Sequence, residues 1–108
     1  MIRGDFVTIA MQGDFGKSRP ALVIHSDPFN EHVTVTVLLV SSALVDAPLF
    51  RVTIQPTPVN GLQKPSQVMV DKAMTLKRDK LGEVFGSASD ASMLEIGRCL
   101  AVFLGIAR

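Results

Sequence analysis

Apolar and polar residues alternate with a period of two over most of the chain, and the period changes to a helical one only near the C-terminus. Phe6-Val7-Thr8-Ile9-Ala10-Met11 predicts a first strand, closed by Gln12-Gly13-Asp14-Phe15-Gly16-Lys17-Ser18, whose glycines and short polar residues suit a loop. Arg19-Pro20 opens a second strand, Ala21-Leu22-Val23-Ile24-His25, and a proline at the first strand position forfeits no needed ladder donor. Ser26-Asp27-Pro28-Phe29-Asn30-Glu31 makes the next turn. Val33-Thr34-Val35-Thr36-Val37 then alternates strictly, and Leu38-Leu39-Val40 is apolar on both faces, which predicts the central strand.

Phe50, Val52 and Ile54 point one way while Arg51, Thr53 and Gln55 point the other, so this strand has one buried and one wet face; Pro56, Pro58 and Asn60-Gly61 end it. Ser66 to Val70 predicts a short strand leading into Asp71-Lys72-Ala73-Met74-Thr75-Leu76. Lys77-Arg78-Asp79-Lys80 reads as a charged turn or one helical turn, and Leu81 to Phe85 as an edge strand. Ser89 can cap a helix with Asp90 in its first turn, and Ser92 with Glu95 offers an alternative capping box. The stripe Met93, Ile96, Leu100, Phe103, Leu104 should lie on the sheet, leaving Glu95 and Arg98 outside. The expected fold is mainly β with α additions: a small β-barrel or strongly curved sheet carrying a C-terminal amphipathic helix, one domain over residues 1–108.

Composition narrows the classes. At 108 residues and 47% apolar content the chain can fill one core without disulfides or metal, and with 19% charged residues it lacks the signature of disorder. A net charge of +1 argues against coating nucleic acid by bulk electrostatics, so any such contact must be a local patch. No apolar run approaches the roughly 18 to 20 residues that cross a bilayer, and MIRGDFVTIA lacks the long apolar centre of a signal peptide. A cytoplasmic address without a membrane partner is expected. The single Cys99 excludes an internal disulfide and reads as a small buried helix residue. His25 and His32 read as structural residues rather than ligands, and neither a metal nor another cofactor is expected.

Three stretches, in order, carry a more specific signal: Arg3-Gly4-Asp5-Phe6-Val7, then Gly16-Lys17-Ser18-Arg19-Pro20-Ala21-Leu22-Val23-Ile24, then Ser66-Gln67-Val68-Met69-Val70-Asp71-Lys72 through Thr75. Together they resemble the MazF/PemK family of bacterial toxins, and the likeness runs essentially end to end, including the Val37 to Ser42 strand and the closing Leu104-Gly105. The resemblance implies an SH3-like small β-barrel of the CcdB/MazF type and a homodimer. It also implies the toxin of a type II toxin-antitoxin system, a metal-independent endoribonuclease that cuts single-stranded RNA and is held inactive by a cognate antitoxin. DNA would be met only indirectly, through the antitoxin complex. The family's arginine at the start of the second strand falls on Arg19, its active-site threonine at the end of the third strand on Ser41, and the aspartate of PemK-like members on Asp71. Met69 stands where those members carry an arginine, and the 12–18 loop lacks the histidine of some relatives, which leaves the proton-transfer partner open.

These residue types suit the implied chemistry. RNA cleaves itself when its 2'-hydroxyl attacks the adjacent phosphate, so an enzyme chiefly positions groups around a phosphorane and manages two protons. Arg19 offers a planar fork of donors for the phosphate oxygens, and Ser41 a hydroxyl that positions them. Ser42, expected on the opposite strand face, competes with Ser41 for that role. Asp71 is a candidate base, or a structural carboxylate pairing with Lys72, Lys77 or Arg19. Lys17 and Lys64 are candidate phosphate contacts, Gln67 a base-edge contact, and Phe15 a stacking platform or else a core or dimer anchor. Two other readings compete: a CcdB-like poison that binds DNA gyrase through its terminal helix, and a non-catalytic SH3-like binding domain.

Overall fold

The structure is a computed structural model and describes residues 1–10 and 18–108. Its elements are β1 (Asp5–Ala10), β2 (Ser18–Val23), β3 (Thr34–Ser41), β4 (Arg51–Ile54), β5 (Ser66–Lys77), β6 (Leu81–Ser87) and α1 (Asp90–Phe103), with 3-10 turns at Asp27–Phe29 and Arg78–Lys80. The strands form one sheet in the order β4-β5-β3-β2-β1-β6, every neighbouring pair antiparallel. The mainly β reading with a terminal helix therefore holds, although the sheet is not closed into a full barrel. Leu38 and Val40 are buried on β3, the strand whose apolar residues on both faces predicted a central place.

The inward residues of β1, β2 and β3 divide between two cores because alternate side chains leave opposite faces of a strand. Phe6, Leu22, Leu38 and Val40 join Val52, Ile54, Val68, Val70 and Ile96 beneath α1. Val7, Ile9, Ala21, Val23, Val35 and Val37 form the second core, flanked by Met74, Leu76 and Leu81. Burying the second set needs a bent sheet, and the register supplies two bends. Between β3 and β5 the pairing jumps from Leu38↔Ala73 to Val40↔Val68, so residues 69–72 bulge opposite Leu39; β1 and β6 slip between Phe6 and Ile9. This bulge also explains why the two segments expected over 66–76 are one long strand: the bend is absorbed within it.

The gap between the edge strands is spanned by the 55–65 connection rather than by strand pairing. Ser87 N–H donates to Val59 C=O at 3.0 Å. Gly86 permits the approach, because a Cβ there would sit 2.1 Å from the backbone oxygen of Asn60. Asn60 is 4% exposed and ties the connection internally: its Oδ1 accepts from the N–H groups of Thr57 and Leu62, and its Nδ2 donates to Gln55 C=O.

Ser89 caps α1 as expected, its Oγ accepting from Ser92 N–H at 3.1 Å. Ile96 is the helix residue that becomes fully buried, worth roughly 1.5–3 kcal/mol, with Met93 and Leu100 packed partly beside it. Phe103 and Leu104 depart from the predicted stripe, at 52% and 57% exposed. They lie at the end of the helix, where Gly105 takes a φ of 77° and closes a Schellman motif: Ile106 N–H donates to Ala101 C=O and Gly105 N–H to Val102 C=O. Cys99 is a free thiol, partly buried against the first core.

Candidate active site

The start of β2, the end of β3 and the 61–64 turn converge on a cavity of about 680 Å³. Val40, Leu62 and Phe85 give it an apolar floor, and Phe85 is held there by stacking on Phe6 with ring centres 5.9 Å apart. Thr8, Ser18, Arg19, Ser41, Ser42, Gln63, Lys64 and Ser66 supply its polar lining. Two of the lining residues, Arg19 and Lys64, are cations, and among the described residues no aspartate or glutamate lines the cavity. A chain of nearly neutral net charge thus concentrates positive charge where an anion can enter.

Arg19 is placed by strand register. It pairs with Ile9 on β1, and the β2–β3 register of Ala21↔Leu39, carried two residues further, brings it level with Ser41. Its side chain is exposed. Ser41 in turn pairs with Gln67 on β5, so Arg19, Ser41 and Gln67 lie at one level across three neighbouring strands.

Ser41 ends β3, and its Oγ accepts a hydrogen bond from Ala43 N–H at 3.0 Å. An acceptor role there leaves the hydroxyl hydrogen for donation to something else. Ser42 was expected to face away from Ser41. It lies beyond the last residue of β3, where strand alternation no longer applies, and it lines the same cavity. Lys64 joins the cavity from the connection between β4 and β5, anchored through its carbonyl, which accepts from Ser66 Oγ at 2.9 Å.

The other expected residues are placed elsewhere. Gln67 is 5% exposed and does not line this cavity. Its amide is fully committed: Nε2 donates to Val45 C=O and to Thr53 Oγ1, and Oε1 accepts from Val45 N–H and Arg51 Nη1. Asp71 lies in the β5 bulge and is absent from the cavity lining. Its Oδ2 is 3.2 Å from Lys72 Nζ, the structural pairing weighed above, while Oδ1 is buried and makes no hydrogen bond. Phe15 and Lys17 lie outside the described residues. His25 Nε2 bonds Asn30 Oδ1 at 2.9 Å, whereas His32 is an exposed turn residue stacked edge-on against Phe29. Among the described residues no three His, Cys, Asp or Glu side chains converge as a metal site.

Sequence reasoning passed over Thr8, Ser18, Gln63 and Ser66 as lining residues. Thr8 carried only the weak signal of one polar residue among the apolar ones of the first strand. Gln63 carried none, because its place depends on how the 55–65 connection folds back.

A family model described as the PemK-like, MazF-like toxin of type II toxin-antitoxin systems matches residues 2–104. The chain belongs to that family. It is 43% identical to the probable endoribonuclease MazF of Mycolicibacterium smegmatis over 108 residues, covering 99% of each chain. In structure it resembles an endoribonuclease in complex with its cognate antitoxin from a mycobacterial species, with a TM-score of 0.84 and 25% identity, covering 100% of this chain and 98% of the other. A MazE–MazF complex from Deinococcus radiodurans matches with a TM-score of 0.78 and 25% identity, covering 97% and 96%. These PemK/MazF relatives support a ribonuclease toxin and not the gyrase-poison alternative. Among the described residues no helix is long and apolar enough to cross a membrane.

Proposed function

We propose that this PemK/MazF toxin is an endoribonuclease that cuts single-stranded RNA in the cavity between Arg19 and Lys64. The observation that carries the proposal is the convergence of Arg19, Ser41 and Lys64 on one cavity whose described lining holds no carboxylate. Such a lining attracts a phosphodiester and repels little of it. The substrate's own 2'-hydroxyl, placed in line with the scissile phosphate by the groups that grip it, attacks the phosphorus; the P–O5' bond breaks to leave a 2',3'-cyclic phosphate, the 2'-hydroxyl proton is lost to solvent and the departing 5'-oxygen takes one up to become a hydroxyl. Arg19 spreads its donors over the non-bridging oxygens as negative charge builds on them. Ser41 donates its remaining hydrogen to one of those oxygens, and Ser42 is held beside it as a second donor. Lys64 binds a neighbouring phosphate. Phe85, in the floor, offers an aromatic surface to a base.

The protein works as a cytoplasmic homodimer neutralised by a cognate antitoxin. Family membership supports the antitoxin, and exposed Leu94, Val102, Phe103, Leu104 and Ile106 on and beside α1 supply the apolar surface that association requires.

The test is cleavage of a long single-stranded RNA in EDTA. The parent protein gives discrete fragments; Arg19→Ala loses at least about a hundredfold in rate, as for removal of one transition-state donor. Arg19→Lys retains the charge but loses the fork and recovers only part of the rate. Undiminished cutting by Arg19→Ala removes Arg19 from the reaction, and intact RNA with the parent protein sinks the proposal.

A further inference from the structure

The chain leaves the sheet after Ser41 and rejoins it at Arg51, and this 42–50 segment carries Ser42 and Ala43 into the cavity without a strand partner of its own. Its far end is tied to β5, where Phe50 C=O accepts from Val70 N–H at 2.9 Å, and the stretch nearest the cavity is held by Gln67. One amide grips both main-chain groups of Val45, donating from Nε2 to its C=O at 2.9 Å and accepting at Oε1 from its N–H at 3.0 Å, as a neighbouring strand would. Arg51 adds a second tie, with Nη1 3.3 Å from Ala43 C=O and 3.3 Å from Gln67 Oε1. Arg51 keeps this place although its Nε is buried and unbonded, a local cost that an apolar residue would avoid. The chain of contacts then reaches the site: Ala43, whose C=O Arg51 holds, is also the residue whose N–H fixes Ser41 Oγ at 3.0 Å.

We infer that Gln67, supported by Arg51, is a positioning residue that sets the direction of the Ser41 hydroxyl by holding the 43–45 turn. It does not touch RNA, because all four hydrogen-bonding positions of its amide are taken inside the protein. The inference rests on the reading of Ser41 as a phosphate donor. A hydroxyl released from its turn samples several rotamers, and a misplacement of about 1 Å at a reacting group costs on the order of a hundredfold in rate.

Gln67→Met keeps length and bulk while deleting the four bonds. We expect its kcat to fall about tenfold to a hundredfold with KM unchanged and a cooperative melt retained. Gln67→Glu keeps the acceptors and falls between the two. The decisive measurement is a double-mutant cycle with Ser41→Ala, read as kcat on a short RNA carrying one mapped site. If Gln67 acts through Ser41, the double variant is no slower than Ser41→Ala alone. Multiplying losses overturn this inference and leave the Ser41 reading intact, whereas an unchanged kcat in Ser41→Ala alone overturns the Ser41 reading itself. Should Gln67→Met fail to melt cooperatively, the same cycle is run with Arg51→Met, which deletes the bonds to both Ala43 and Gln67, and the same two outcomes decide.

Discussion

Replacing Asn60 with alanine tests whether the 61–64 turn of the cavity is preorganised by one side chain. The substitution strands three main-chain groups: the N–H groups of Thr57 and Leu62, each 3.0 Å from Oδ1, and Gln55 C=O, 2.9 Å from Nδ2. Leu62 N–H is buried and bears the whole penalty of an unmade bond, about 1–3 kcal/mol. The other two are partly buried and recover some bonding from water, so each adds about 0.5–1 kcal/mol. The expected loss is thus about 2–5 kcal/mol, which lowers Tm by about 8–20 °C for a chain of this size. Thermal melts followed by circular dichroism measure it, at one fixed protein concentration because a dimer's midpoint moves with concentration. Asn60→Asp retains the acceptor and should lose less. The loop that loosens carries Leu62, Gln63 and Lys64, so KM for RNA should rise more than kcat falls. A midpoint within about 2 °C of the parent would show that the turn holds without Asn60, and the reasoning fails.

Gly86→Ala drives a Cβ into the backbone carbonyl of Asn60, 2.1 Å from its oxygen and 2.2 Å from its carbon, where no side chain can yield. A loss of about 3 kcal/mol is expected, read as a lowered urea midpoint with unchanged slope, and a parental midpoint refutes the close approach. Asp71→Asn removes a charge without changing shape, at a carboxylate outside the cavity lining. Cleavage should fall by less than about tenfold; a fall of a hundredfold or more would place that carboxylate in proton transfer at the reacting phosphate.

Much of the fold was legible because its signals are local. The apolar pattern of Val35, Val37, Leu38 and Val40 encodes a strand covered on both faces, and Ser89 before Asp90 encodes a helix start. The bulge opposite Leu39 was not legible, since a register break depends on which strand lies alongside and how far the sheet must bend. The exposure of Phe103 and Leu104 escaped for a related reason. Helical spacing says which residues share a face, but it does not say where the sheet beneath that face ends.

The same division runs through the site. Arg19 and Ser41 were singled out by the resemblance to the MazF/PemK family, and the register of β2 and β3 brings the two to one level. The place of Gln67 could not be read from the chain, although it pairs directly with Ser41. A glutamine on a strand has the same chemistry whether it faces solvent or a covering loop, and the cover here is the 42–50 segment, which folds back onto it. Burial turns the amide from a prospective base reader into a clamp, because redirecting it to RNA would leave both main-chain groups of Val45 and the Thr53 and Arg51 side chains without the partner they have in the fold. The side chains that hold the turn are therefore not free to bond a ligand, and the polar lining of the cavity is supplied by other residues, Gln63 and Ser42 among them.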